Sequence, residues 1–417
     1  MSSALEEYNS RNLRFNFTIG MFDGAFFGLA IGFASFIAII PLFVSHLTDS
    51  VLLIGLVPAI HSVGWQFPQL LTAGWVARLR RYKPVVMWLT IHERLPFLGL
   101  AAVAWFLPRL GPQNALILTF LLLVWQGFGG GFTANPWTNM ISKIMPSGLH
   151  GTFFGSQAAA FSGMAGLSAV LAGVALERLD SPLDFTLCFL AAAAAMAVSY
   201  LVIALTREPQ GPPKEAPSHP AAFWGHSVEI LKRDKNFAAF LGVRILSQFA
   251  GMAFSFYIVY AVRAFAMSEA LIGAFTGFLL VSQVILSPVM GRLSDRWSHR
   301  GVMMLGALAA TLSALLAWAA DGPGWFYLIF LMEAIAMIAI WTIPIALTVS
   351  FAKREEERPL YIGMSNTLSA PATILAPVLG GWIADAAGFK ATFLASAVCG
   401  LLMAGSLYSL VKDPSRK

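Results

Sequence analysis

The chain has 417 residues, of which 58% are apolar and only 12% are charged, and its formal net charge is +6. A soluble chain of this length carries about twice that fraction of charged residues, so the composition excludes an ordinary soluble domain. Both cysteines, Cys188 and Cys399, lie in apolar stretches, which argues against a disulfide framework and a thiolate metal site. We therefore expect no metal and no cofactor.

Apolar stretches long enough to cross a bilayer recur along the whole sequence. A transmembrane helix needs about 20 predominantly apolar residues. The sequence predicts twelve such helices, called spans one to twelve here, at about residues 16–43, 51–76, 85–107, 113–142, 152–176, 183–206, 237–262, 270–291, 301–320, 324–351, 359–384 and 390–411. Because most connections are too short to fold alone, we expect an all-α, multi-pass membrane protein.

The distribution of lysine and arginine predicts the orientation of the spans. With a cytoplasmic N-terminus, 21 of the 27 basic residues fall on the cytoplasmic side, four lie outside, and Arg94 and Arg244 lie within spans. Such an excess is typical of cytoplasmic loops. We expect cytoplasmic termini, a bacterial inner membrane and a monomer in the lipid bilayer. The basic residues are spread over separate loops, so no nucleic-acid partner is expected.

One polar segment divides the spans into two groups of six. Residues 207–236 are rich in proline, lysine, glutamate and histidine, a composition typical of a linker. They predict a cytoplasmic connection that ends in an interfacial helix near residues 223–233. The predicted domains are an N-terminal six-helix bundle at 1–206, this linker, and a C-terminal six-helix bundle at 237–417.

The two groups of spans repeat each other at a constant offset. A shift of 208 residues places Pro136 on Pro344, Gly155 on Gly363, Gly173 on Gly381 and Glu177 on Asp385. Matched halves with a substrate site between them are an arrangement of secondary transporters. The repeat therefore predicts two pseudo-symmetric six-helix bundles.

A charged loop between spans eight and nine carries the most specific motif. It reads Gly291-Arg-Leu-Ser-Asp295-Arg296-Trp-Ser-His-Arg300-Gly301. This spacing resembles the loop motif of the major facilitator superfamily of membrane transporters, and the resemblance extends over residues 15–411 through span count, halves and linker. It implies two bundles that rock around a central cavity. Spans one, four, seven and ten would line that cavity, and spans three, six, nine and twelve would lie outermost.

The loop motif predicts a gate on the cytoplasmic side. Glycine permits close backbone approach, and Asp295 can accept hydrogen bonds from a basic partner or a helix N-terminus while that side is closed. Opening would then break the contact. The candidate gating residues are Gly291, Asp295, Arg296 and Arg300, with Gly74 as the counterpart of Gly291 at a shift of 217 residues.

Three positions depart from the family pattern. The first-half loop has Arg78 where the motif has an acid, and span four has Leu123 where an arginine would precede Gln126. Span five also lacks the Gly-Pro pair typical of drug–proton antiporters. These departures argue against that branch of the family.

Asp23 in span one is the favoured candidate for substrate binding and proton coupling. Ionisable side chains within spans are costly, and they usually face protein or a water-filled cavity. By resemblance, span one lines the cavity, and a buried carboxylate there can bind and release a proton. The alternative is a structural ion pair with Arg94.

Three consecutive ionisable residues, His92, Glu93 and Arg94, occupy the middle of span three. Successive side chains on a helix point about 100° apart, so the three cannot face one partner. We predict a structural polar network that includes His61 and joins spans one, two and three. A role in transport is the alternative.

Arg244 and Gln248 are four residues apart in span seven, so they share one helix face. Both are predicted substrate-binding residues. Arg244 could hold an anionic substrate group or bridge to Asp23 in one conformation. A fixed salt bridge between the halves is the alternative.

Polar residues of spans four and ten complete the predicted substrate site. They are Gln126, Asn135 and Glu333, and Glu333 is also a candidate for proton coupling. Pro344 follows Glu333 in span ten and allows a kink there. The alternative for Glu333 is a buried acid satisfied by a neighbouring helix.

These patterns favour secondary transport of a small organic solute by alternating access. No ATP-binding motif occurs, which favours transport driven by a gradient. Proton-coupled efflux of amphipathic compounds and facilitated diffusion of a polar metabolite are both open. A non-transporting receptor or scaffold is the rival from another class. We predict no enzyme, because the sequence shows no nucleophile–base pair.

Overall fold

The structure is a computed structural model that describes residues 2–211, 220–267 and 269–414, and its regular elements there are all helical. The helices before the predicted linker are α1 (Ser2–Phe33), α2 (Ile39–Ser45), α3 (Val51–Gln66), α4 (Pro68–Val76), α5 (Lys83–Trp105), α6 (Leu107–Ile144), α7 (His150–Arg178) and α8 (Leu183–Ile203). Those within and after it are α9 (Pro220–Arg233), α10 (Lys235–Ala250), α11 (Tyr257–Phe265), α12 (Glu269–Arg296), α13 (His299–Ala319), α14 (Trp325–Met337), α15 (Ile343–Phe351), α16 (Arg358–Ala387) and α17 (Phe389–Ser409).

The predicted all-α membrane fold is confirmed. Eleven helical segments of the described chain are long and apolar enough to cross a membrane. The remaining predicted span, at 51–76, is present as α3 and α4, which meet at Phe67. Pro68 begins α4, and proline favours the first turn of a helix because it has no N–H to donate. Eleven of the twelve predicted spans thus correspond to helical segments long enough to cross a membrane, and the one at 51–76 is formed by two shorter helices.

Other spans contain breaks that the sequence analysis did not predict. Span one ends at Phe33 and is followed by the short α2. Pro41 lies in this short helix, and its missing N–H disfavours continuous helix through the preceding residues. Span seven is likewise divided into α10 and α11, with a 3₁₀ turn at Phe254–Phe256 between them.

Span ten remains helical throughout but changes its winding. A π-helical segment, Ile338–Thr342, joins α14 to α15, and the Ile343 amide donates to the Ile338 carbonyl five residues earlier. Pro344 follows immediately. Segments of this kind are rare and often occur at functional sites.

The helices pack as two compact units. The first comprises Met1–Pro146 and Ala160–Ala216, and the second comprises Ser147–Ala159 and Pro217–Lys417. Helix α7 therefore begins in the second unit and continues in the first. The predicted domain boundaries, 1–206, 207–236 and 237–417, remain a proposal. Part of that linker, residues 212–219, lies outside the described residues.

Each unit, taken by itself, shows the same internal packing pattern. In the first, α1 and α5 pack against α8, and α3 and α5 pack against α6. In the second, α10 and α13 pack against α17, and α12 and α13 pack against α14. These helices correspond in span order, so the repeat seen in the sequence is also a repeat of packing.

Polar side chains mark where several helices begin. Ser50, Asp234 and Ser298 each accept a hydrogen bond from a backbone amide in the first turn of α3, α10 and α13. Such caps satisfy amides that have no partner inside the helix. At the end of α9, Arg233 donates to Glu357 (2.9 Å), which holds this helix to the beginning of α16. The hydrogen bond and the charge of Glu357 raise the pKa of Arg233.

Candidate functional site

A buried polar cluster in the first unit contains Asp23, Glu93 and Arg94. Arg94 Nη2 lies 3.4 Å from Asp23 Oδ1, and Nη1 lies 3.5 Å from Glu93 Oε2. Ser199 connects the cluster to α8, since its hydroxyl donates to Asp23 (2.6 Å) and accepts from Arg94 (2.9 Å). The structural ion pair considered for Asp23 is therefore present, and it joins spans one, three and six.

The charges of this cluster do not balance. Two carboxyl groups face one guanidinium, which also lies 5.4 Å from the centre of the Phe27 ring. All three charged side chains are only 8% exposed. An uncompensated charge is costly in so apolar a setting. The cluster can lower that cost by holding one proton on one of its two carboxyl groups.

An apolar groove of about 550 Å³ adjoins this cluster. Side chains of α5 and α8 line it, among them Leu95, Leu98, Leu190 and Leu201, and Arg94 is its only charged lining residue. The groove can accommodate the apolar body of an amphipathic molecule next to a polar cluster.

The two histidines of the predicted network have partners on α6. His61 Nδ1 lies 3.0 Å from Gln126 Oε1, and its ring stacks on Phe36 at 3.8 Å between centres. His92 accepts a hydrogen bond from the Trp125 indole (3.1 Å). The structure thus brings Asp23, Glu93 and Arg94 together, while His61 and His92 contact span four.

Asn135 is fully buried and contacts other parts of the first unit. It donates to the Gln69 carbonyl (2.8 Å), and its own side-chain oxygen accepts from Asn139 (2.8 Å). These bonds join α6 to α4 at the level of Pro136. Gln126 is also buried, and its Nε2 has no acceptor in the described part of the chain.

Arg244 in α10 is the buried cation of the second unit. Its Nη1 donates to the Ile340 carbonyl (2.8 Å), and its Nη2 lies 3.5 Å from Asn366 Oδ1. Pro344 has no N–H to give to the carbonyl four residues before it, which is that of Ile340. The guanidinium therefore supplies a donor to a carbonyl that the π-helical segment leaves without its ordinary helix partner.

Neutral polar groups surround Arg244. Gln248, one turn later in α10, donates to the Ser247 hydroxyl (3.1 Å), and its Oε1 accepts from Thr373 of α16 (3.4 Å). Among the described residues no carboxylate lies within ion-pair distance of Arg244, and its Nε has no hydrogen-bond acceptor. Arg244 is nevertheless only 5% exposed.

Glu333 in α14 is a buried acid without a basic partner in the described part of the chain. It is 4% exposed, and its Oε2 has no hydrogen-bond donor there. Seven residues separate it from Ile340, which corresponds to roughly 10 Å along a helix. Arg244 and Glu333 are thus a buried cation and a buried acid of the second unit for which the described residues provide no ion-pair partner.

Asp295, in the charged loop motif, caps the beginning of α7. Its two carboxylate oxygens accept from the backbone amides of Gly151 (2.7 Å) and Thr152 (2.6 Å). Of the two kinds of partner expected for Asp295, the structure places it on a helix N-terminus. A carboxylate there satisfies free amides and interacts favourably with the helix dipole.

Glycines bring the backbones of α7 and α12 into direct contact beside this cap. A Cβ added to Gly155 would overlap the Ser287 carbonyl, and one added to Gly291 would overlap that of Gly151. Any larger residue would force the helices apart and lengthen the hydrogen bonds to Asp295. Gly291 and Asp295 thus act on the same contact.

Of the other predicted gating residues, Arg296 and Arg300 belong to the same unit as this contact, and Gly74 belongs to the first unit. Arg300 binds the C-terminal segment, since its amide donates to Asp413 (3.1 Å) and its Nη1 to the Val411 carbonyl (2.7 Å). Arg296 is exposed at the end of α12, and Gly74 is half-buried in α4.

Glu208 was not predicted as a site residue, although it caps the corresponding loop of the first unit. Its carboxylate accepts from the amides of Tyr82 (2.9 Å) and Lys83 (2.7 Å), where α5 begins, and from Lys143 Nζ (2.9 Å). Lys143 also donates to the carbonyls of Arg80 and Pro209. An acid from the linker thus caps a helix near the loop in which Arg78 replaces the acid of the motif. Ser199 was missed because nothing in the sequence separates it from other serines within spans.

Comparisons with known proteins support the fold described above. The sequence model of the Major Facilitator Superfamily matches residues 240–417. The E. coli fucose:proton symporter FucP superposes with a TM-score of 0.75 at 15% identity, over 95% of this chain and 98% of that one. The proton:xylose symporter XylE superposes with a TM-score of 0.72 at 14% identity, over 97% of both chains. The family model therefore supports the resemblance to the major facilitator superfamily over residues 240–417. The superpositions show the same fold over nearly the whole chain.

One curated relative is similar in sequence over a shorter region. The Tetracycline resistance protein, class E, of Escherichia coli is 32% identical over 140 residues, which are 33% of this chain. The alignment spans about a third of that relative's length, 34%. Within residues 2–211, 220–267 and 269–414, no group of three or more His, Cys, Asp or Glu is placed to hold a metal ion.

Proposed function

We propose that this protein is a secondary transporter that moves a small organic solute across a membrane by alternating access. The observation that carries the proposal is that Arg244 and Glu333, buried in membrane-spanning helices of this fold, have no ion-pair partner among the described residues. Such unpaired groups would have no use in a scaffold, and each of them makes the folded protein in the membrane less stable. A transporter can use them, since a substrate or a proton supplies the missing partner during the cycle.

The cap on α7 supplies a candidate gate. Asp295 holds the first amides of α7 while Gly151, Gly155 and Gly291 keep the two backbones in contact. We assign these residues, with Arg296 and Arg300, to a latch that is formed when the cytoplasmic side is closed. Gly74, the counterpart of Gly291 in the first unit, stays a predicted gating residue. Opening that side requires the two hydrogen bonds to break.

Two sites are candidates for proton coupling. At the first, Asp23 and Glu93 share Arg94, so one proton balances the charge of the cluster. At the second, Glu333 has no basic partner and is neutral when it carries a proton. Two of the structural neighbours are named as proton symporters, FucP and XylE, which is consistent with a proton as the coupling ion.

The groove of the first unit is best suited to an amphipathic solute. The groove beside Arg94 is almost entirely apolar, and one wall ends at a charged cluster. The relative named for tetracycline resistance is consistent with this class. We further propose a monomer in the bacterial inner membrane with both termini in the cytoplasm, from the lysine and arginine distribution.

The test is transport by purified protein in proteoliposomes. Uptake driven by an imposed pH gradient would support proton coupling, whereas equilibrium exchange that is independent of pH would favour facilitated diffusion of a polar metabolite. A folded protein that moves none of a broad panel of amphipathic and polar solutes would favour the receptor or scaffold alternative.

The latch is tested by Asp295→Asn, which replaces one acceptor oxygen with an N–H₂ group facing the α7 amides. We expect a shift toward the state open to the cytoplasm, measured by labelling of cysteines introduced at the cytoplasmic ends of the spans. Glu355→Gln, in the loop after α15, serves as a control at the same membrane face. If Asp295→Asn leaves both labelling and transport unchanged, the assignment of the latch is wrong.

A further inference from the structure

Arg244 differs from Arg94 in what surrounds its charge. Arg94 has two carboxylates within 3.5 Å. Arg244 is as deeply buried, at 5% exposure, and it has no carboxylate within ion-pair distance in the described part of the chain. A buried guanidinium without an anion has lost its hydration and gained no counter-charge. An anion that comes from outside the protein would supply the counter-charge that such a group lacks.

The structure also fixes how this guanidinium is presented. A guanidinium has five N–H donors. The Ile340 carbonyl and Asn366 engage one donor on each terminal nitrogen, and Nε has no acceptor among the described residues. The protein therefore holds the guanidinium by its two terminal nitrogens and leaves Nε–H without an acceptor among the described residues. Nε–H with an adjacent Nη–H is the edge that binds a carboxylate through two parallel hydrogen bonds.

The residues near Arg244 limit the number of negative charges that a bound anion can carry. Gln248 and Thr373 are neutral, and they provide hydrogen bonds without charge. One guanidinium in this setting balances one negative charge. A dianion or a diphosphate would remain undercompensated after leaving water, because no second cation is engaged in the site.

We propose that Arg244 binds the anionic group of the transported solute, and that the solute is a small amphipathic anion with one carboxylate or sulfonate. This inference rests on the proposed transport function and specifies its substrate class. The rival role is structural: Arg244 would serve only to bind the Ile340 carbonyl and fix the π-helical segment.

A set of aromatic probes that differ only in charge tests the proposal. The probes are benzoate and benzenesulfonate as anions, benzamide as the neutral analogue, and benzylammonium as the cation. Thermal unfolding of the full chain in nanodiscs reports binding, since a ligand of the native state raises Tm with its concentration. We expect the two anions to raise Tm and the other two probes to leave it unchanged.

Variants of Arg244 separate binding from structure. Loss of a charge-assisted hydrogen bond lowers affinity roughly 10- to 100-fold, so Arg244→Gln should abolish the anion-dependent rise in Tm, and Arg244→Lys should retain part of it. Without probe, Arg244→Gln removes an uncompensated charge but also the donor to the Ile340 carbonyl, so it should change Tm much less than Arg94→Gln does. Arg94→Gln is the matched comparison, and it should lower Tm because it leaves two buried acids without their cation.

The outcomes decide the two proposals separately. The anion site is overturned if neither anion raises Tm, if benzamide does so equally, or if Arg244→Gln lowers the Tm of the free protein as much as Arg94→Gln. Uptake of radiolabelled benzoate into proteoliposomes tests transport independently. Anion binding without uptake would contradict the transport proposal but not the anion site. Uptake of benzamide equal to that of benzoate would support transport and contradict the anion site.

Discussion

The two packed units of this protein differ in how their buried charges are compensated. In the first unit, Arg94 lies between two carboxyl groups, and Lys143 forms a buried ion pair with Glu208. In the second, Arg244 binds a carbonyl and an amide, and Glu333 has no basic partner among the described residues. Both units have the same helix packing, so the difference lies in the side chains and not in the fold.

Under the proposed anion site, this difference separates groups that stabilise the protein from groups that bind a ligand. Removing one member of a buried ion pair leaves the other member uncompensated, and it is strongly destabilising. Removing a charge that never had a partner relieves a cost. The comparison therefore predicts a loss of stability when a paired charge is removed and little or no loss when an unpaired charge is removed. Three variants test it, and a fourth tests backbone packing in the second unit.

The largest effect is expected for Arg94→Met. Asp23 and Glu93 would then share a buried site without a cation, and we expect the free energy of unfolding to fall by about 3–5 kcal/mol. Chemical denaturation in mixed micelles would measure this. Arg109→Met, at an exposed site, should change stability by less than about 0.5 kcal/mol. Adding Asp23→Asn and Glu93→Gln should recover much of the loss, and absence of recovery would mean that Arg94 acts through packing alone.

A smaller effect is expected for Glu208→Gln. The amides of Tyr82 and Lys83 would lose charge-assisted hydrogen bonds, and Lys143 would lose its counter-charge, which together should cost about 2 kcal/mol. Limited proteolysis should then cleave the beginning of the linker faster. Glu177→Gln, an exposed substitution in α7, is the control. Unchanged cleavage and unchanged stability would show that the Glu208 cap contributes little.

Backbone packing in the second unit is tested by Gly155→Ala. The new Cβ would overlap the Ser287 carbonyl and lie 3.1 Å from the Gly291 Cα. Overpacking of this kind typically costs about 1–3 kcal/mol. Gly173→Ala, in the same helix, is the matched control, since its Cβ would meet nothing within 4 Å. Thermal unfolding should show a lower Tm for the first variant only, and equal Tm values would contradict the close approach of α7 and α12.

The smallest effect on stability is expected for Glu333→Gln. The amide has nearly the same shape and removes an acid that has no partner, so the change in unfolding free energy should be under about 0.5 kcal/mol in either direction. Transport driven by a pH gradient should nevertheless be lost if Glu333 carries the proton. Measuring gradient-driven and equilibrium exchange in the same vesicles separates these effects. A loss of stability comparable to that of Arg94→Met would show that Glu333 has a structural partner after all.

The sequence was sufficient for features that depend on local composition. Eleven helical segments with the required length and hydropathy lie where the apolar stretches predicted them, because hydropathy is a property of consecutive residues. The loop motif and the repeat were also visible, since both are defined by spacing along the chain. The breaks in spans one and seven were harder to predict, because Pro41 lies several residues after the end of α1 and no proline lies between α10 and α11.

The sequence alone could not predict which residues contact the buried charges. Asp23 and Arg94 were recognised as a candidate pair, but their 71-residue separation and the 176 residues between Asp23 and Ser199 carry no signal of distance in space. Glu208 looked like an ordinary polar residue of a linker, although it is one of the most buried acids of the chain.

By itself, then, the sequence determined a membrane protein of many helices in two matched halves, because transfer of apolar segments from water to lipid dominates the energetics of such a chain. Only the tertiary structure decided that Arg94 is paired and Arg244 is not. Ionic contacts form over about 4 Å, so a shift of a single helical turn decides whether a charge finds a partner within the protein or remains available for one outside it.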